Sequence, residues 1–251
     1  SRFADIFYEK RKEKGLSRDQ ALATMKNVLY YGAMLVREGQ ASGMVAGAAN
    51  TTADVLRAAL QVVGVSPGLK TVSSTFIMVS PREEDPTYLF ADCAVVPNPT
   101  DEQLADIASS TARTRTAILG DEARVALLSF STMGSADHEL VEKVRSAKAI
   151  LDARKVDFAY DGELQLDAAI VEKVAMSKAP HSSVAGKANT LVFPDLQAGN
   201  IGYKLVQRLG GYEAIGPIIQ GLAAPICDLS RGCSTEDIFN TAILVLLMSK
   251  K

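Results

Sequence analysis

Between Asp228 and Ile238 the chain reads Asp-Leu-Ser-Arg-Gly-Cys-Ser-Thr-Glu-Asp-Ile. A hydroxyl (Ser230), a guanidinium (Arg231) and a carboxylate (Asp237) fall within one short turn that runs into an apolar helical stretch. Ser234 and Asp237 have the spacing of a capping box, which places a helix N-terminus here. Free backbone N–H groups and the helix dipole favour an anion at such a place, and Arg231 just before it does the same. A phosphate or acyl phosphate suits this environment, and a carboxylate one turn away can accept a proton. The same pattern also serves as a cap with a surface arginine beside it.

Three further segments carry donors at strand-to-helix turns: Asn50-Thr51-Thr52, Ser129–Ser135 and Gln197–Gly202. Backbone amides at such turns can cradle phosphate oxygens, or simply cap helices. No G-x-x-x-x-G-K-[ST] and no G-x-G-x-x-G occurs, which argues against a P-loop and a nicotinamide-binding Rossmann motif.

The elements that must position these residues follow from hydrophobic period and capping signals. Helices are expected over 3–14, 17–26, 28–38, 52–63, 100–118, 137–154 and 167–177, from about Ile201, and over 235–248. Strands are expected over 72–79, 88–96, 123–130, 157–160, 190–193 and 214–219, with a short one after Gly43. A charged link from Pro81 to Pro86 joins two strands as a hairpin-like loop. The repeated strand–loop–helix alternation predicts an α/β fold with a largely parallel sheet, whose ligands gather beyond the carboxyl ends of the strands.

Bulk properties narrow the function. The 251 residues are 47% hydrophobic and 22% charged, with a net charge of −2. That is a folding composition without the basic footprint of a nucleic-acid binder. No apolar run reaches membrane-span length. Cys93, Cys227 and Cys233 have no metal-binding spacing and no evident disulfide pattern, and His138 and His181 form no short metal motif. The expectation is a cytoplasmic chain without a secretory leader.

Seven segments in order carry a resemblance: Gly43–Gln61, Phe90–Asn98, Arg124–Ser135, Asp161–Ala169, Ala179–Lys187, Phe193–Gln207 and Asp228–Ile238. With these the chain resembles the phosphate acetyltransferases (phosphotransacetylases) of the phosphate acetyl/butyryl transferase family. The resemblance implies two α/β domains with mostly parallel sheets and an active-site cleft between them, divided here as 1–70 plus 218–251 and 71–217. It implies reversible acetyl transfer between acetyl phosphate and coenzyme A, a homodimer, and no metal or prosthetic group. It also implies a further N-terminal portion, preceding Ser1, that belongs to the first domain.

Carried onto this sequence, the resemblance makes Asp237 the general base for the thiol, has Arg231 bind the departing phosphate, and has Ser230 donate to a carbonyl or phosphate oxygen. Arg57 and Arg11 match arginines that hold phosphates, although Arg11 also reads as part of a solvated basic helix face. Thr51, Ser131, Thr132, Asn200 and Gly202 are expected to line the ligand, and Cys233 to pack beside the site. Four positions depart from the family pattern: Met133 replaces a common Lys, Ala58 a common Pro, and Ala224 and Cys227 a common Lys and Asn. These changes lower the positive charge around the site, which bears on affinity more than on chemistry.

The base role carries a physical requirement. Moving a proton from a thiol of pKa about 8.5 to an Asp of about 3.9 is uphill by about 6 kcal/mol, and a capping position lowers the Asp further. A cation must stabilise the thiolate, or desolvation must raise Asp237. Two other readings stand beside this one: a phosphate butyryltransferase, and a non-catalytic sensing or oligomerisation domain like the phosphotransacetylase-like tail of some malic enzymes.

Overall fold

A computed structural model describes residues 2–249, which divide into two compact units. The first comprises the chain up to Gly68 together with the segment from Leu222 onward, and the second runs from Leu69 to Gly221.

The first unit begins with α1 (Arg2–Arg11), a single 3-10 turn, α2 (Arg18–Thr24) and α3 (Val28–Arg37). The Ser17–Gln20 capping box starts α2, and the Asn27 side chain starts α3. A short strand β1 (Met44–Ala46) leads into α4 (Thr52–Val62), which is capped by Thr51. Apolar residues of α1 to α4, including Phe7, Met34, Val55 and Val62, bury one core together with Ile226. Full burial of each such side chain contributes about 1.5–3 kcal/mol.

The second unit holds a six-stranded sheet in the order β5-β4-β6-β3-β2-β7. Its strands are β2 (Ser73–Val79), β3 (Tyr88–Ala91), β4 (Arg124–Leu128), β5 (Ala159–Leu164), β6 (Thr190–Val192) and β7 (Glu213–Gln220). β3, β4, β5 and β6 run parallel, and β2 is antiparallel to both of its neighbours. The helices are α5 (Asp101–Leu119), α6 (Glu139–Arg154), α7 (Leu166–Ile170), α8 (Glu172–Lys178) and α9 (Leu196–Gly210).

Pleat alternation splits this sheet's core in two. Val125 and Leu127 of β4 pack with Leu104 of α5 and Val144 and Leu151 of α6. Ala126 and Leu128 face the other way, toward Ala168 of α7 and Ala198 and Val206 of α9.

The first unit closes with β8 (Ile226–Asp228) and α10 (Thr235–Ser249). β8 pairs parallel with β1, matching Ala46 to Asp228. No helix among the described residues is long and apolar enough to cross a membrane.

Several elements differ from the sequence reading. The strand expected at 157–160 runs instead from Ala159 to Leu164, because Asp161-Gly162-Glu163 is strand rather than loop. The helix expected over 167–177 breaks at Val171, which takes an extended conformation between α7 and α8. The strand expected over 88–96 stops at Ala91, where the Asp92 carboxylate draws in the amides of Ala94, Val95 and Val96. The last helix of the second unit starts at Leu196 rather than Ile201, because the Asp195 side chain caps it through the Ala198 amide. β8 was not foreseen. The second unit ends at Gly221 rather than Pro217 because β7 continues unbroken to Gln220.

Candidate active site

In the first unit, β1 and β8 lie side by side and each is followed by a helix, α4 and α10. The two intervening loops, Gly47–Thr51 and Leu229–Ser234, therefore start from adjacent strand ends. They are tied together directly. The Leu229 amide donates to the Ala46 carbonyl at 2.7 Å. The Thr52 hydroxyl donates to Oδ2 of Asp228. Gly47 sits at φ +116, and a Cβ there would lie 2.3 Å from Asp228 Oδ1 and 2.4 Å from the Leu229 carbonyl. Only glycine permits both that backbone conformation and that approach. Asp228 is buried, and burial pushes its carboxyl above the usual carboxylate range.

Beyond Asp228 the backbone turns, with the Cys233 amide donating to the Ser230 carbonyl at 3.0 Å. Ser230 Oγ accepts from the Gly232 amide at 3.2 Å. Arg231 is exposed, and its guanidinium has no hydrogen bond or ion pair among the described residues. Asp237 lies in the first turn of α10. Its Oδ2 accepts from the Ser234 amide at 2.8 Å and the Ser234 hydroxyl at 2.9 Å, and its own amide donates back to Ser234 Oγ at 3.1 Å. These bonds from Ser234 hold the Asp237 carboxyl below its ordinary value. The capping box is thus present, and as the residues stand it makes Asp237 a weaker base.

A second cluster forms at the start of α4. Thr51 donates its hydroxyl to Asp54 Oδ2 at 2.7 Å, and Arg57 Nη1 binds Asp54 Oδ1 at 2.6 Å. The Thr51 hydroxyl and the Arg57 guanidinium hold the Asp54 carboxyl below the usual range. Burial raises the Tyr30 hydroxyl, and the charges of Arg57 and Arg11 act against that rise. The first unit therefore carries Arg11 at the end of α1, Thr51 and Arg57 at the cap and second turn of α4, Ser230 and Arg231 on the β8–α10 loop, and Asp237 in the first turn of α10. Cys233 lies beside Ser230, partly exposed.

The remaining expected residues lie in the second unit, and there the side chains have internal partners. Ser131 is fully buried; its hydroxyl donates to Glu163 Oε1 at 2.8 Å and accepts from the Ala136 amide at 3.0 Å. Thr132 Oγ accepts from the Gln165 amide at 2.9 Å. Both hydroxyls thus brace the β4–α6 loop from within rather than facing outward as ligand donors. Asn200 and Gly202 belong to α9 and not to a loop. Asn200 Nδ2 donates to the Cys93 carbonyl at 3.0 Å, and Lys204 donates to Asn200 Oδ1 at 2.7 Å. A Cβ on Gly202 would lie 3.0 Å from the Phe193 ring, so this glycine serves packing.

Sequence reading missed the carboxylate that organises the β4–α6 loop. Glu163 is buried, pairs with Arg145 at 3.1 Å, and accepts from the Gly134 amide at 2.8 Å as well as from Ser131. Burial raises its carboxyl, but the Arg145 pair and these donors outweigh that and leave it below its usual value. The only local signal was a Glu between Gly162 and Leu164 in an apolar setting. Among the described residues, no group of three or more His, Cys, Asp or Glu side chains is placed to hold a metal ion.

Residues 1–246 match the family described as Phosphate acetyl/butaryl transferase. The chain belongs to that family. It is 58% identical over 240 residues to a phosphate acetyltransferase of Thermoanaerobacterium thermosaccharolyticum, covering 94% of this chain and 73% of the relative. It is 53% identical over 253 residues to a phosphate acetyltransferase of Treponema pallidum, covering 98% of this chain and 75% of the relative. The crystal structure of a phosphotransacetylase from Streptococcus pyogenes superimposes with a TM-score of 0.94 at 48% identity, covering 99% of this chain and 75% of that one. This member of the phosphate acetyl/butaryl transferase family therefore spans about three-quarters of each of these relatives. Its mixed α/β fold with mostly parallel strands is the fold of its phosphotransacetylase neighbours.

Proposed function

We propose that the chain transfers an acetyl group reversibly between acetyl phosphate and coenzyme A. The thiol attacks the acetyl carbonyl directly while both substrates are bound, the carbonyl–phosphate bond breaks, and phosphate leaves. Asp237 takes the thiol proton. Arg231 holds the phosphate and stabilises its charge as it departs, and Ser230 donates to the oxygen on which charge builds. Arg57, with Arg11 nearby, holds further phosphate groups, and Thr51 supplies a donor at the α4 N-terminus.

One observation supports this reading above the others: Arg231, without a partner among the described residues, stands between Ser230 and a helix-start carboxylate on a loop anchored to the α4 N-terminus. An arginine without an ion pair, beside a hydroxyl and a carboxylate, suits an incoming anion better than a structural role. The depressed Asp237 is matched to its task if substrate binding releases it from Ser234 and excludes water around it.

In the second unit, Ser131 and Thr132 contribute by fixing the backbone of the β4–α6 loop, and Asn200 and Gly202 by seating α9. The reading needs no metal or prosthetic group and belongs to a cytoplasmic homodimer. Ile201, Leu205 and Leu209, exposed along one face of α9, provide an apolar surface for the second copy.

The test is formation of the acetyl thioester from acetyl phosphate and coenzyme A, followed by ultraviolet absorbance. It is run on this chain and on the chain preceded by the N-terminal segment of its longer relatives. Turnover that disappears in Arg231→Ala is the expected result. A folded protein that turns over butyryl phosphate but not acetyl phosphate would replace the acetyl assignment with the butyryl one. No turnover with either would leave a binding domain.

A further inference from the structure

Two cations share one carbonyl at the end of α4. Lys10, from α1, donates its Nζ to the Val62 carbonyl at 2.6 Å and to the Val63 carbonyl at 3.3 Å. Arg37, from α3, donates its Nη1 to the same Val62 carbonyl at 3.0 Å. Val62 is the last residue of α4, so both side chains satisfy carbonyls at the end of that helix. Like charges held this close disfavour the charged form of the group that can lose a proton, and of the two that is the lysine. Lys10 has no carboxylate partner among the described residues to offset this. Burial, then the charges of Arg37 and Arg11, push its ammonium below the ordinary lysine value. Lys12, two positions on, has the opposite surroundings. It pairs with Glu9, whose hydrogen bond and charge push the Lys12 ammonium up.

We propose that Lys10 is a site of acetylation by acyl phosphates, acetyl phosphate in particular. The site stands apart from the acetyl-transfer reading, because the acyl phosphate acts here as a reagent and no turnover by the chain is needed. A neutral Lys10 keeps two hydrogens, one for each carbonyl, and has its lone pair left for the acyl carbon. A Cβ on Gly64 would lie 3.6 Å from Nζ, so the absence of a side chain there keeps an approach to the amine open.

The step balances without a further reactant. The amine nitrogen adds to the acetyl carbonyl, and the bond from the carbonyl carbon to the phosphate oxygen breaks. Its electron pair leaves with phosphate, which also takes the proton lost by the nitrogen. The acetylated side chain has a single N–H and no charge, so one of the two carbonyl contacts at the end of α4 is given up.

The test is incubation of the full chain with acetyl phosphate near neutral pH, each lysine being quantified by fragmentation mass spectrometry. Each unit of difference in pKa changes the free-amine fraction about tenfold, and lower basicity returns part of that as weaker nucleophilicity, as it does for thiols. Lys10 should therefore be acetylated about fivefold faster than Lys12 or more. Arg37→Gln keeps a donor for the Val62 carbonyl and removes the neighbouring charge. In that variant Lys10 should slow and Lys12 should be unchanged. Equal rates at Lys10 and Lys12 in the parent chain, or a Lys10 rate indifferent to Arg37→Gln in a folded protein, would overturn the proposal. Preferred labelling of Lys10 in a chain without acetyl transfer would keep the site and remove the enzymatic reading. Acetyl transfer with equal labelling of the two lysines would do the reverse.

Discussion

Thr52 and Asp228, 176 positions apart in the chain, are joined by a hydrogen bond from hydroxyl to buried carboxylate. This contact ties the start of α4, which carries Arg57, to the strand end that precedes Ser230 and Arg231. Two segments distant in sequence, both proposed to bind anions, are thereby joined within one unit.

The tightest point of that junction is Gly47. Gly47→Ala would press a methyl group onto Asp228 and the Leu229 carbonyl in a backbone conformation that alanine resists. Stability should fall by about 3 kcal/mol or more, read from urea unfolding. A loss below about 0.5 kcal/mol would mean that the two loops are not held together as described.

Asp228 gives the pH dependence a recognisable sign. Burial raises its carboxyl in the folded state, so the stabilisation belongs to the neutral form. It is fully present below the unfolded-state value near 3.9 and is lost as pH rises through the folded value. Asp228→Asn stays neutral and keeps an acceptor for Thr52. In thermal melts, the variant should lack that decline with rising pH.

Glu163 has the opposite sign. Its folded carboxyl lies below the ordinary value, so its stabilisation is present above that value and is lost as pH falls through the folded one. Glu163→Gln leaves Arg145 without its buried partner and should cost about 2 kcal/mol near neutral pH. The difference between variant and parent should shrink on acidification. Equal differences at neutral and acidic pH would show that the charge is not what matters.

At the β8–α10 turn, Asp237→Asn keeps an acceptor for Ser234 and so should leave the melting temperature unchanged. As general base, its loss should cut kcat about a hundredfold or more, with KM for acetyl phosphate within about threefold of the parent. Unchanged kcat would confine Asp237 to capping.

Arg231→Ala should act on both parameters, cutting kcat to the edge of detection because the departing phosphate loses its cation. With no partner among the described residues, its removal should not affect stability. KM for acetyl phosphate should rise by about tenfold or more, because a charge-assisted contact to phosphate is lost. Initial rates measured with Arg231→Lys should fall between the two, since the lysine keeps the charge and loses the planar fork.

What could be read in the sequence was local. The helices expected over 17–26 and 100–118 both form, each started by a capping box. Val72 to Val79 is apolar and β-branched enough to be recognised as a strand, and β2 lies within it. The Ser234–Asp237 spacing likewise forms its box. What escaped was nonlocal. Asp161-Gly162-Glu163 reads as a turn unless the later burial of Glu163 against Arg145, 18 residues away, is known. β8 is three residues long and is a strand only because β1 lies beside it. Asn200 and Gly202 look like loop residues because asparagine and glycine are poor helix formers. Here one bonds the Cys93 carbonyl and the other clears space for Phe193.

The pairing of β1 with β8 also dictates an order of assembly. Everything from Leu69 to Gly221 can leave the ribosome and bury its own core before β8 has been synthesised. The residues up to Gly68 are made before that unit, and β1 stays unpaired until β8 follows it. Closing so long an intervening loop makes this the slow step of folding. A segment made before the second unit is thus completed after it, and stays exposed to chaperones and proteases in the interval.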